Sequence, residues 1–168
     1  MIVCESERLS LRHLDVQNDA AFMLRLLNEP SFIQNIGDRH VRTLDDARRY
    51  IDTGPRAMYA QYGYSLFRTE LKETGEPIGM CGLLKRDWLA DPDVGFAFFP
   101  QFWSKGYAFE SASAVMQWGR EHRGLTRIVA ITAPGNHGSQ RVLAKLGLKF
   151  ARTVHSPEGQ ESHLFTPD

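Results

Sequence analysis

From Tyr64 onward the chain stops reading as helices and begins to read as strands, and that order constrains the fold more than any single motif. Tyr64–Arg68 (YSLFR) and Pro77–Leu84 (PIGMCGLL) are apolar runs separated by the polar, glycine-containing stretch Lys72–Glu76, the pattern of an antiparallel hairpin. Asp93–Phe99 is a third strand. Tyr107–His122 then carries Ala108, Ala112, Val115, Met116 and Gly119 on or near one helical face. Arg127–Thr132 (RIVAIT) is β-branched and buried by its composition. An antiparallel group followed by a strand–helix–strand crossover implies an α+β fold with a mixed, mostly antiparallel sheet flanked by helices. Such a layout holds a ligand where strands part at their ends.

The remaining segments fill in around this frame. Leu9, Leu11 and Leu14 suggest a short first strand, and Asp19–Asn28 is a helix that Pro30 should stop. Thr43 followed by Asp46 resembles a helix-entry cap. The helix it opens should end near Gly54-Pro55, with a further turn reaching Gln61. Asn136–Leu146 is another helix, closed by Gly147. Phe150–Val154 and Ser162–Phe165 are two closing strands. With no repeat, low-complexity tract or linker, residues 1–168 are expected to form one domain.

Composition excludes several function classes. Twenty basic residues balance twenty acidic ones, which argues against a direct nucleic-acid binder. No apolar run approaches the roughly 18 residues of a membrane span. Met1–Glu7 lacks the basic start and apolar stretch of a signal peptide, so a cytoplasmic location is expected. Cys4 and Cys81 match no zinc or redox spacing and read as free thiols, Cys81 buried in a strand; no metal is expected.

The chemistry concentrates in Phe98–Glu110 (FFPQFWSKGYAFE). A strand ends there, the chain turns through small residues, and a helix begins. Such a turn aims several backbone N–H groups at one spot, and the helix dipole adds partial positive charge. That is an anion site suited to a pyrophosphate. Gly106 and Ala108 leave the amides approachable, and Lys105 adds a charge. The alternative is a plain strand-to-helix loop. The phosphate-loop pattern G-x-x-x-x-G-K-S/T and the dinucleotide pattern G-x-G-x-x-G are both absent.

Trp103–Glu110 (WSKGYAFE) resembles the acetyl-CoA pyrophosphate loop, Q/R-x-x-G-x-G/A, of the GNAT superfamily of N-acetyltransferases. It is most similar to the ribosomal-protein (RimJ/RimL-like) branch, where W-G-K-G-Y-A-T-E is common. Asp93–Phe98 (DVGFAF) resembles that family's preceding strand, and Asn136–Leu148 (NHGSQRVLAKLGL) its downstream helix. Glu7–Arg12 (ERLSLR) resembles the branch's opening. The departures are Trp103 for Gln or Arg, Ser104 for Gly, Ala144 for Glu and Leu148 for Phe.

The resemblance implies a GNAT-type domain with splayed central strands, and transfer of acetyl from acetyl-CoA to an amine without an acyl-enzyme. The acceptor is a protein N-terminus or a small-molecule amine. The implied cofactor contacts are Phe98, Phe99, Trp103, Ser104, Lys105, Gly106, Tyr107, Ala108, Asn136 and Ser139. The pantetheine arm would lie beside Phe96–Phe99, where the N–H of Phe98 or Phe99 could polarise the thioester carbonyl. Asn136 would contact the arm, or be only a helix cap; Ser139 would face the sulfur, or be an ordinary helical serine.

Asp93, Glu110 and, less directly, His137 are the candidate bases. No tyrosine follows Asn136 where many relatives place a general acid, which leaves Ser139 or water to reprotonate the thiolate. Arg39, His40, Arg42, Arg48 and Arg49 cluster in the region expected to meet the acceptor, either facing an acidic substrate or lining a solvated helix. A non-catalytic acetyl-CoA sensor or scaffold is the alternative to an enzyme. Monomer and homodimer both remain open.

Overall fold

The computed structural model describes residues Met1–Asp168. Two sheets carry it. The larger contains β1 (Ile2–Glu5), β2 (Leu9–Arg12), β3 (Leu66–Leu71), β4 (Pro77–Leu84) and β5 (Asp93–Phe98), in that spatial order. The smaller contains β6 (Ala130–Thr132), β7 (Lys149–His155) and β8 (Glu161–Thr166), with β8 in the middle. Every pairing within a sheet is antiparallel. The sheets are joined at one parallel bridge between Asp93 and Val129. There the Val94 N–H donates to the Val129 carbonyl at 2.9 Å, and the Val129 N–H donates to the Pro92 carbonyl at 3.0 Å. Beyond that bridge β5 and β6 part, so the combined sheet is mixed and splayed at its centre.

Six helices surround the sheets: α1 (Ala20–Leu27), α2 (Pro30–Asn35), α3 (Leu44–Ile51), α4 (Ala57–Tyr62), α5 (Tyr107–Arg123) and α6 (His137–Lys145). The cap expected at Thr43 is present. Its hydroxyl accepts the Asp46 N–H at 3.0 Å, and the Asp46 carboxylate accepts the Thr43 N–H at 3.2 Å.

Three local expectations are corrected and one, at Pro30, is extended. Pro55 does not end its helix: a wider π-turn, Asp52–Arg56, absorbs the missing donor and joins α3 to α4, which Gly63 closes at φ 82°. Pro30 does follow the end of α1, but it also occupies the first turn of α2, where a missing N–H costs nothing. β1 was not expected; it is a short, half-exposed edge strand without clear alternation. β3 begins at Leu66 rather than Tyr64. The Ser65 carbonyl there accepts the Leu83 N–H at 3.1 Å, and Gly82 approaches so closely that a Cβ would stand 2.0 Å from that carbonyl oxygen.

Two main cores pin the sheet from both faces. One holds Phe67, Ile78, Leu83, Val115 and Trp118 under α5, with Phe67 edge-on to Trp118 at 5.7 Å. The other holds Phe22, Met23, Leu26, Ile51, Met80 and Phe99 under α1 and α3. Each such buried side chain stabilises the fold by about 1.5–3 kcal/mol relative to exposure. Asp19, fully buried at the head of α1, accepts from Arg68 at 2.6 Å, from Arg12 at 3.3 Å and from the Asp15 N–H at 2.7 Å. That charge pairing ties the helical layer to β2 and β3.

Candidate functional site

The strand-to-helix turn after β5 is built as a cradle of amides. Pro100–Phe102 forms a short 3-10 turn, and the Trp103 indole N–H donates back to the Phe98 carbonyl at 2.9 Å. Ser104 (φ 62°) and Gly106 (φ 84°) then take left-handed conformations that turn the chain into α5. Glu110 is the first residue whose N–H closes onto the helix, donating to the Gly106 carbonyl at 3.0 Å. The six amides from Ser104 to Phe109 donate to no protein acceptor. They stand at the positive end of a 17-residue helix, which suits an anion.

The hydrogen-bond alternation on β5 decides which of its amides are free. Phe99 donates its N–H to the Ile78 carbonyl at 3.1 Å, so residues 95, 97 and 99 bond toward β4. Residues 94, 96 and 98 therefore face the other way. Val94 is spent on Val129, whereas Phe96 and Phe98 lie where β6 has parted. Of the two amides the sequence offered, Phe98 is the one on the open edge. Phe99 is placed differently: its amide is consumed by β4, and its ring is buried in the second core, 5.9 Å from Phe22.

Two cavities meet at this edge. The first, about 690 Å³, is lined by Phe98, Trp103, Ser104, Gly106, Tyr107 and Ala108, the turn expected to hold the cofactor. Lys105 does not line it; its side chain is exposed and its carbonyl accepts from the Arg8 guanidinium at 3.0 Å. The second, about 570 Å³, lies toward Asp93, Arg86, Trp88, Tyr50 and Arg39. Phe96, Ala97, Asn136 and Ser139 line both, so the gap between β5 and α6 is a neck connecting them. Asn136 has both characters the sequence left open: it caps α6, accepting the Ser139 N–H at 3.3 Å, and it faces the neck. His137 is exposed and lines only the first cavity.

The two carboxylates named as bases separate sharply. Asp93 is 1% exposed, sits at the bridge where the sheets join, and accepts from the Arg86 Nε at 3.1 and 3.2 Å. Burial pushes its carboxyl up, Arg86 pulls it partly back, and the balance is a pKa of about 6. Glu110 points elsewhere, to the N-terminal segment. Its carboxylate accepts from the Ser6 hydroxyl, from the Arg8 N–H at 2.8 Å and from the Arg8 Nε at 2.7 Å. Burial pushes it up, but the Ser6 hydroxyl and Arg8 outweigh that and hold it below the usual range. Glu110 lines neither cavity, and its carboxylate is engaged in anchoring α5 to the N-terminal segment.

The basic cluster also resolves. Arg42, Arg48 and Arg49 are paired with Asp38, Asp45 and Asp46. Only Arg39 lines the second cavity. Tyr50, Arg86, Trp88 and Thr132 are lining residues the sequence did not single out; they come from a helix, a loop and a strand that only folding brings together.

Residues 8–149 match a family model described as Acetyltransferase (GNAT) domain. The chain is 28% identical over 154 residues to YkkB of Bacillus subtilis (strain 168), an uncharacterised protein, covering 89% of this chain and 86% of that one. It is 27% identical over 149 residues to YoaA of the same organism, an uncharacterised N-acetyltransferase, covering 88% and 82%. Among solved structures, RimL, a ribosomal L7/L12 alpha-N-protein acetyltransferase in complex with coenzyme A, superposes with a TM-score of 0.83. It covers 100% of both chains at 16% identity, a likeness of fold.

Proposed function

The chain belongs to the GNAT acetyltransferase domain family, and from that membership we propose that it transfers acetyl from acetyl-CoA directly to a primary amine, on a small molecule or a protein N-terminus. One observation carries the reading. A cavity lined by residues of a turn whose amides are unpaired opens through a neck into a second cavity holding a buried carboxylate. Donor and acceptor can therefore approach the same point from two adjoining cavities.

The amides of Ser104–Ala108 suit the pyrophosphate, and Gly106 supplies the left-handed conformation (φ 84°) that turns the chain through the cradle into α5. The open edge of β5 at Phe96 and Phe98 suits the pantetheine arm as an added strand, with Asn136 across the neck. Bound acetyl-CoA supplies the acetyl group as a thioester. The Phe98 N–H polarises its carbonyl. Asp93, as carboxylate, takes a proton from the ammonium or amine, directly or through water. Ser139, in the neck, returns a proton to the departing thiolate. Trp103–Glu110 supports the ribosomal-protein branch in sequence, without fixing the acceptor.

Labelled acetyl-CoA incubated with wild type and Gly106→Trp, against amines, peptides and ribosomal-protein N-termini, tests the reading. Transfer by the wild type alone is expected, with acetyl-CoA binding lost in the variant by calorimetry. Binding without transfer to any acceptor would favour the sensor; no binding would sink the proposal.

A further inference from the structure

The second cavity carries a charge pattern that its catalytic use leaves unexplained. Four of its lining residues are charged: Arg39, Arg86, Asp93 and Glu158. Arg86 and Asp93 neutralise each other. Glu158 is exposed on the turn between β7 and β8. Arg39 has no carboxylate partner, although Arg42, Arg48 and Arg49, close to it in sequence, all do.

Arg39 is also held in place. The loop from Gly37 to Val41 is fixed by Asp38, which accepts from the Arg42 guanidinium at 2.6 Å and from the His40 N–H at 2.8 Å. His40 takes φ 58° to complete that turn. Arg39 is thereby presented beside the Tyr50 phenol, which lies within reach of both Arg39 and Arg86. Two guanidiniums and a phenol thus converge on one wall, one guanidinium with its charge uncompensated. Arg39 is exposed, so its guanidinium is open to a ligand entering the cavity, and a planar guanidinium without a carboxylate partner matches a carboxylate or phosphate in two-pronged geometry.

Taking acetyl transfer to an amine as the premise, we propose that the acceptor also carries an anionic group, a carboxylate or a phosphate, which Arg39 and Tyr50 hold while the amine reaches the neck at Asn136 and Ser139. Trp88, Tyr50 and Ile36 supply apolar walls between the two ends. The acceptor is then a zwitterion at neutral pH, in a cavity whose own uncompensated charges are one cation, Arg39, and one anion, Glu158.

Matched pairs differing only in the anion test this on the coenzyme A-saturated protein: tryptophan against tryptamine for a carboxylate, and phosphoethanolamine against ethanolamine for a phosphate. Binding is measured by calorimetry, and release of the coenzyme A thiol from acetyl-CoA is followed separately. The wild type is expected to bind the anionic member of at least one pair about tenfold or more tightly than its neutral partner. Which pair shows the difference identifies the anion.

Arg39→Ala should abolish the preference and Arg39→Lys retain part of it. Arg49→Ala, on an exposed arginine outside the cavity, should leave it intact. Equal binding within both pairs, no binding of either pair, or a preference that survives Arg39→Ala would overturn the proposal. Thiol release separates the two readings: selective binding without release from any amine counts against acetyl transfer and leaves the anion site standing. Release from neutral and anionic amines alike does the reverse.

Discussion

Asp93 holds two opposing influences at one carboxyl, and their balance gives it a pH signature. Burial raises it and Arg86 lowers it, leaving it at about 6. In the proposed role of base it must be ionised, so kcat/KM should fall below about pH 6, and Asp93→Asn should remove that limb and lower the rate about a hundredfold or more. The stability effect has the opposite sense. The folded state holds this proton more tightly than the unfolded chain, whose aspartates titrate near 3.8. Wild-type stability relative to Asp93→Asn should therefore decline as pH rises from about 4 to about 6, measured by urea unfolding. Ser104 is the second informative residue. It occupies a left-handed conformation (φ 62°) that costs a non-glycine residue about 1 kcal/mol or more. Ser104→Gly should leave stability equal or slightly raised, whereas Ser104→Val should lower it by about 1–2 kcal/mol in denaturant titrations, because branching at Cβ worsens the same clash.

At the level of elements, the placement of α5 depends on the segment between β1 and β2. Glu110, in the first turn of α5, is clasped by Ser6 and Arg8, and Arg8 also donates to the Lys105 carbonyl and stacks over the Tyr107 ring at 4.5 Å. The N-terminal strands thus brace the outside of the amide cradle while leaving its inside free. Glu110→Gln should cost about 1–2 kcal/mol near neutral pH. Because this carboxyl is held below its ordinary value, its contribution is present above pH 4.5 and fades on acidification, the reverse of Asp93. The acid limb of activity should be unmoved in this variant, which distinguishes an anchor from a base in a pH–rate profile.

At the scale of the whole molecule, the splay between the two sheets is what lets two cavities communicate. One bridge at Asp93–Val129 holds the sheets together at one end, and the neck at Phe96, Ala97, Asn136 and Ser139 opens beyond it. Narrowing the neck should separate binding from transfer. Ala97→Leu is expected to leave acetyl-CoA affinity within about twofold by calorimetry while lowering kcat tenfold or more, since a misplacement of about 1 Å can cost a hundredfold. Burial pushes the Cys81 thiol up to about 12 and, with help from Glu5, the Cys4 thiol up to about 11, so both are held in the protonated form that reacts slowly.

The sequence by itself determined what depends on neighbours along the chain. The cap at Thr43 and Asp46, the hairpin around Lys72–Glu76, the crossover helix and the amide turn at Ser104–Ala108 are all local, written in period, capping chemistry and small residues. Tertiary structure alone decided what depends on juxtaposition across the chain. Asp93 and Glu110 are both carboxylates near one motif; one meets Arg86 inside a cavity, and the other meets Ser6 and Arg8 from more than a hundred residues away. Phe98 and Phe99 are adjacent and alike, and only the register of β5 on β4 frees one amide and spends the other. The arginines after Asp38 form one cluster in sequence, and only the folded loop turns Arg39 alone into the cavity. The physical reason is the same in each case: burial, ion pairing and strand register are set by groups far apart in sequence, and those terms decide which of several similar residues is left available for a ligand.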